Sequence, residues 1–260
     1  MKKYIIIWYK SMIAQAQIAF ASRLGVILFS IGKVLRFGFF LIFLLLIGSR
    51  THEIGGYTIW EMIFFFATFN LIDTVPQMML RSVYSFRRLV VSGDFDIFFL
   101  QPVPALFRAL LGGSDILDLP ILILIIGFII YSGLHLPSFP VLGIFLYILL
   151  VLNAFLIAIA FHILVLSIGI VSTEVDNTIM LYRDLTQMGR VPVTIYQQGV
   201  SFLLTFVVPI GIMMTFPVQA LLGALGLQLI LYSFVVGIGF LIFSLFIWRI
   251  AIKHYTSASS

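Results

Sequence analysis

Six apolar runs divide this chain, at roughly 26–48, 57–79, 116–132, 139–168, 200–216 and 222–248. A helix needs about 20 apolar residues to cross the hydrocarbon core of a bilayer. The runs predict an all-α polytopic membrane protein of six transmembrane helices, built as a single transmembrane domain over 1–260. Composition agrees, at 62% hydrophobic and only 10% charged, with a mean hydropathy of +1.19. A soluble domain carries about 25% charged residues, so this surface is one that lipid, not water, must cover. There is no cysteine, which excludes a disulfide framework, a thiol nucleophile and a thiolate metal site.

The runs are not alike. The third is short and ends in the turn-rich break "YSGLHLPSFP". The fourth is too long for one straight crossing and is expected to continue beyond the membrane. The fifth contains Pro209, expected to kink it, and stops at Pro217. The sixth opens after "FPVQALLG", expected to be a re-entrant or interfacial piece.

Six crossings put both termini on one side, and the basic residues choose which. Lys2, Lys3, Lys10 and Arg23 precede the first run. Arg81, Arg87, Arg88 and Arg108 lie between the second and third, Arg183 and Arg190 between the fourth and fifth, and Arg249 and Lys253 follow the sixth. The opposite side holds only Arg50. Positive charge collects in the cytoplasm, so both termini are expected there. The net charge of +5 is spread by this topology and forms no patch for nucleic acid. "MKKYIIIWYK" begins like a signal peptide, but Lys10 cuts its apolar core short and no small-residue cleavage site follows. It is expected to be retained. Residues 1–23 alternate apolar side chains with Lys, Gln and Ser around Tyr4, Trp8 and Tyr9, the pattern of a helix lying in the interface.

Charges deep inside the runs need an answer. Lys33 and Arg36 share a helix face at i and i+3, and Asp73 sits in the second run. Counted from Gly48 and Thr58, Lys33 and Asp73 both lie roughly 22 Å inward at about 1.5 Å per residue. Unpaired charge is costly at that depth, so an intramembrane pair of Asp73 with Lys33 or Arg36 is expected. The alternative is that both cations snorkel to headgroups while Asp73 faces a wet interface. A proton relay would need further ionisable groups in line; His162 and Glu61 are at unsuitable depths. His162 reads as a packing residue and Asn153 as a bond to a neighbouring helix. Asp115 and Asp118 follow "GGS" at the start of the third run, where Ser114 can cap and carboxylates suit the positive end of a helix dipole.

The longest polar connection, 80–115, holds "SGDFDIFFLQPVP". Ser92-Gly93-Asp94 reads as a break and a helix start. Phe95, Phe98 and Phe99 at i, i+3 and i+4 make one apolar face, and Gln101 precedes Pro102, which ends the helix. The product is a short amphipathic helix at the membrane's inner face, able to rest on lipid or to plug into a partner.

This stretch, "GDFDIFFLQPV", resembles the Gly-x-(Leu/Phe)-Asp-x-x-Leu-x-x-Pro segment of bacterial type-2 ATP-binding-cassette (ABC) transporter permeases. More specifically it resembles the branch of transport-system permease components of about this length. "GRVPVTIY" (189–196) is similar to that branch's Gly-Arg-x-Pro-Val-x-x-Tyr segment, "YTSASS" (255–260) to its Tyr-x-Ser-Ala-Ser-Gly ending, and "VVPIGIMMTFP" to its proline-bearing fifth span. Gln101 stands where the branch has Arg, and Ser260 where it has Gly. The resemblance implies an exporter half with a coupling helix between spans two and three. It implies a separate ABC ATPase, which would hold the ATP and Mg, a second and different permease, and a place in the bacterial plasma membrane. The residues assigned to ATPase docking are Arg87, Arg88, Gly93, Asp94, Phe95, Asp96, Phe98, Phe99, Gln101 and Pro102. The sequence has no Gly-x-x-x-x-Gly-Lys-Ser/Thr loop, since Gly32-Lys33 is followed by Val34 within a run. ATP-driven transport would therefore take its energy from another chain, and no cofactor is expected in this one.

Two other classes compete. A stand-alone ion-coupled carrier would want broken helices and midplane charge in both halves, whereas charge within the runs here is confined to the early ones. A membrane enzyme would need clustered His, Asp or Glu at one depth, and the four histidines are dispersed. A pathway lined by Phe and Met would suit amphipathic, drug-like or lipid-like cargo.

Overall fold

A computed structural model describes residues 2–51, 53–136, 139–172 and 175–256, and these are helical almost throughout. Residues 137 and 138 of the turn-rich break and the last four of the "YTSASS" ending lie outside the described residues. Among the described residues, five helical segments are long and apolar enough to cross a membrane: Arg23–Gly48, Ile59–Met79, Ile116–Gly133, Val141–Ser172 and Leu227–Lys253.

Helix α1 (Lys2–Phe20) has no buried residue and leads into α2 (Arg23–Gly48). A small antiparallel hairpin follows, β1 (Glu53–Ile54) on β2 (Tyr57–Thr58), in register Glu53↔Thr58 and Ile54↔Tyr57. Its turn is made by Gly55 and Gly56, at φ 60° and 84°, where a side chain would be strained. Thr58 then caps α3 (Ile59–Met79) in a reciprocal box: its backbone N–H donates to Glu61 Oε2 at 2.7 Å while its hydroxyl accepts from the Glu61 N–H. Glu61 is thus a capping carboxylate. Helix α3 is the centre of the fold, and Phe64, Phe65, Phe66 and Phe69 are all buried.

The 80–115 connection holds α4 (Phe86–Val91), α5 (Asp96–Phe99) and α6 (Ala105–Leu111). The chain continues through α7 (Leu119–Gly133), α8 (Val141–Ser172) and α9 (Val175–Gln187). The expected fifth span, 200–216, is not one helix. It breaks into α10 (Gln198–Phe202), a π-helical turn Leu203–Val207, α11 (Ile210–Met214) and α12 (Phe216–Leu221). Pro209 and Pro217 each lack an amide donor, so no continuous ladder passes them. The half after Pro209 is covered by protein, every residue of α11 being buried, while Phe202, Leu203, Phe206 and Val207 of the first half are exposed.

Val175 lies against Gly169 near the end of α8, Tyr182 meets His162 edge-on at 4.9 Å, and Ile195 lies against Gly55 of the β-hairpin. Leu221 packs on Gly143 at the start of α8, and Gln219 Nε2 donates to the Tyr57 hydroxyl at 3.0 Å. The hairpin therefore stands at the α8 start. Residues 175–182 run antiparallel to α8 from Gly169 to Phe161, and the chain beyond them reaches the hairpin at Ile195.

Helices α8 and α13 (Leu227–Lys253) form the tightest seam. Asn153 Nδ2 donates to the Ser233 carbonyl at 2.9 Å, as expected of an interhelical Asn, and Phe161 packs on Phe240 at 4.8 Å. A Cβ on Gly237 would overlap the Asn153 carboxamide, whereas one on Gly239 would meet open space. Gly237→Val should therefore destabilise the protein by about 1–3 kcal/mol, and Gly239→Ala should be near neutral. Thermal unfolding of the two purified variants checks this.

Candidate functional site

The 80–115 connection folds as a small satellite core. Gly93, at φ +79°, makes the turn that separates α4 from α5. The Ser92 hydroxyl donates to Asp94 Oδ2 at 2.7 Å and fixes that carboxylate beside the turn. Phe95 then drops inward. It is fully buried, with ring centroids of Phe86, Phe98, Phe99 and Tyr255 within 5.0–5.5 Å and Trp248 at 6.5 Å. The aromatic face expected to rest on lipid or a partner is folded largely onto the chain's own α13 end. Phe95 accordingly presents no surface outward. Phe98 is partly buried, with the Arg108 guanidinium over its ring at 5.3 Å.

What faces outward is a compact tip. Asp94, Ile97, Phe99, Leu100 and Pro102 are exposed, and Leu100, at 85%, is the most exposed large apolar side chain among the described residues. Ile97 and Leu100 were not singled out from sequence, because the i, i+3, i+4 pattern drew attention to the phenylalanines. Gln101 is partly buried and its Oε1 has no hydrogen-bond partner. Asp96 is partly buried beside Tyr255, whose phenol is pushed up to about 12 by burial and by that carboxylate. Arg87 reaches Asp176 of α9 at 3.3 Å, and Lys3 Nζ donates to the Pro102 carbonyl at 3.0 Å. The tip is thus braced by α1, α9 and α13.

The charges within the helices meet around a small cavity of about 50 Å³ lined by Lys33, Arg36, Asn70, Asp73, Gln77 and Arg190, among others. The structure brings the three expected residues to one place but not into the expected pair. Lys33 forms its ion pair with Asp118. Arg36 Nη2 donates to Gln187 Oε1 at 3.0 Å, and Arg190 donates to the same oxygen. Asp73 accepts from Gln77 Nε2 at 2.6 Å. Matched depth selected the neighbouring helix in sequence. Asp118, at the start of the third run, also lies beside α2 and reaches Lys33 first. Capping there falls to Asp115, which accepts from the Leu117 N–H at 3.1 Å and pairs with Arg81 at 3.5 Å. Ser114 instead accepts from Trp8 Nε1 at 2.9 Å and ties α1 down. His162 lies buried, its Nδ1 donating to the Ala158 carbonyl at 2.8 Å.

Apolar spans around a partly polar interior, with a braced and protruding loop between the second and third, define a multi-pass helical membrane protein built to take a partner. Residues 34–259 match the family model described as ABC-2 family transporter protein. The chain belongs to that family, the membrane components of ABC transporters. No curated protein and no solved structure matches it.

Proposed function

We propose that this chain is the permease subunit of an ATP-driven exporter in the bacterial plasma membrane. It crosses the membrane six times, with both termini cytoplasmic and 80–115 as the coupling segment. The sixth crossing is supplied by 175–196 in place of 200–216, which dips in and returns as a re-entrant piece. That reading is supported by the contacts of Val175 at one end of α8 and of Ile195 at the hairpin end. The α9 surface carries exposed Arg183 and Asp184. Charge on a crossing helix does not face lipid, so a second permease, covering this face, belongs to the assembly.

The observation that carries the functional reading is the outward tip of Asp94, Ile97, Phe99 and Leu100 on a rigid aromatic base. An exposed apolar cluster beside a carboxylate, ringed by polar groups, is the form of a protein docking site. A separate ATPase holding ATP and Mg docks there, and its closure on nucleotide is passed through Phe95 to α13 and through Arg87 to α9. The cargo is amphipathic, drug-like or lipid-like. Lys33 is neutralised by Asp118, which leaves Arg36 and Arg190 as the cations facing the cavity.

The test is co-purification. Tagged chain expressed with the ATPase encoded beside it should bring that ATPase down and stimulate ATP hydrolysis in vesicles. Phe99→Asp/Leu100→Asp changes only exposed side chains and should abolish both. Full retention of ATPase binding and turnover by this variant would refute the docking assignment. An ion-coupled carrier would instead move cargo with no ATPase present.

A further inference from the structure

Between α1 and the coupling segment lies a second, larger cavity of about 560 Å³, which neither the docking tip nor the intramembrane charges use. Its walls include Gln15, Ala16, Tyr84, Arg88, Phe98 and Arg108. Arg81, also on its wall, is answered by Asp115. Arg88 and Arg108 have no carboxylate within ion-pair distance among the described residues. Two polar atoms of the wall, Tyr84 Oη and Arg108 Nε, are buried without a hydrogen-bond partner. Burial pushes the Tyr84 phenol up to about 12, so it remains a donor. A buried donor left unpaired is costly, and in native proteins it usually marks a ligand or water position. Here the orphaned donors and two uncompensated guanidinium groups converge on one space.

The chemistry of that space is specific. Guanidinium groups match phosphate oxygens in planar, paired hydrogen bonds, and the volume falls within the range of about 300–1,000 Å³ typical of ligand sites. Its position chooses the source of the phosphate. Ile18, which lines the cavity, is 68% exposed, and α1 also exposes Ile5, Ile6, Ile13 and Phe20. An apolar helix surface of this kind lies among acyl chains with its polar side at headgroup level. We propose that this cavity binds the phosphate group of an anionic membrane lipid, held by Arg88 and Arg108 with Tyr84 donating to it. Phe98 lines the cavity and touches Phe95 at 5.5 Å. The bound lipid therefore braces the base of the docking tip, and lipid composition regulates coupling. Only the leaflet and this last consequence rest on the proposed function; lipid binding itself does not.

The experiment uses the full chain, delipidated in detergent, with native mass spectrometry against phosphatidylglycerol and phosphatidylcholine. Wild type should retain phosphatidylglycerol preferentially. The preference should fall about 5-fold for each arginine removed and roughly 25-fold in Arg88→Gln/Arg108→Gln. Ala16→Phe, which fills the space without touching a charge, should lose the adduct as well, while Arg23→Gln, outside the cavity wall, should keep it. Persistence of the preference in both the double variant and Ala16→Phe would overturn the proposal. Inorganic phosphate is the second arm. If lipid resists its displacement at millimolar concentration, the lipid source stands; if phosphate displaces it and protects wild type equally, the lipid source falls. Co-purification of the ATPase is scored separately, so failure of the exporter reading leaves this result interpretable.

Discussion

Phe95→Ala is expected to detach the coupling segment from the body of the protein. The ring is fully buried under Phe86, Phe98, Phe99, Trp248 and Tyr255. Deleting a buried phenylalanine costs about 3–5 kcal/mol, and nothing near this site can collapse to fill a space shared by five rings. The loss is local. The α8–α13 seam, with Phe161 on Phe240 and Asn153 on Ser233, does not depend on Phe95, so the chain should still insert and purify. Protease cleavage at Arg87 and Arg88, both exposed, should accelerate strongly, and ATPase binding should be lost. Phe95→Leu, which keeps most of the volume, should retain both. Phe99→Ala is the contrast: its ring is 45% exposed, so binding should weaken while protease resistance holds. Equal behaviour of Phe95→Ala and Phe99→Ala would mean that the ring is a contact and not a support.

The contrast between those two phenylalanines shows where the sequence stops being legible. Spacing at i, i+3 and i+4 says that a face exists. It does not say what covers it, and here the cover is Trp248 and Tyr255, at the far end of the chain. The long spans were legible because lipid sets one simple requirement, sustained apolarity, which α2, α3, α7, α8 and α13 all meet. The same criterion says less about the two segments that follow α8. Residues 200–216 are apolar throughout, yet the run breaks at Pro209, with Met213 and Met214 buried after it and Phe202 and Val207 exposed before it. Residues 175–190 carry Asp176, Arg183, Asp184 and Arg190, so no hydropathy argument selects them, although Tyr182 and Thr186 are buried against the fold. Gly93 and Asp94 were legible as a turn because their roles are local: a positive φ and a Ser92–Asp94 hydrogen bond.

Asp118→Ala is expected to destabilise the protein more than Asp73→Asn. The Asp118 side chain is 3% exposed and that of Lys33 is 30% exposed, so the pair is buried at one end and wet at the other. Removing one partner of a buried pair costs about 3–5 kcal/mol because the other charge is stranded. Here the stranded group is Lys33, which has a partial escape towards solvent and the Phe29 ring 4.6 Å away, so the lower end of that range applies. Lys33→Met strands the more buried Asp118 and should cost more. Lys33→Met/Asp118→Ala removes both charges and should recover much of the loss, the non-additivity expected of an interacting pair. Asp73 is different, since its oxygen accepts from Gln77, and the Asn carbonyl can accept the same bond. Its replacement should shift the thermal midpoint little. Thermal unfolding of the five proteins decides the matter. If Asp73→Asn proves the costlier change, and the Lys33–Asp118 double variant is merely additive, then the cation on α2 answers Asp73 after all.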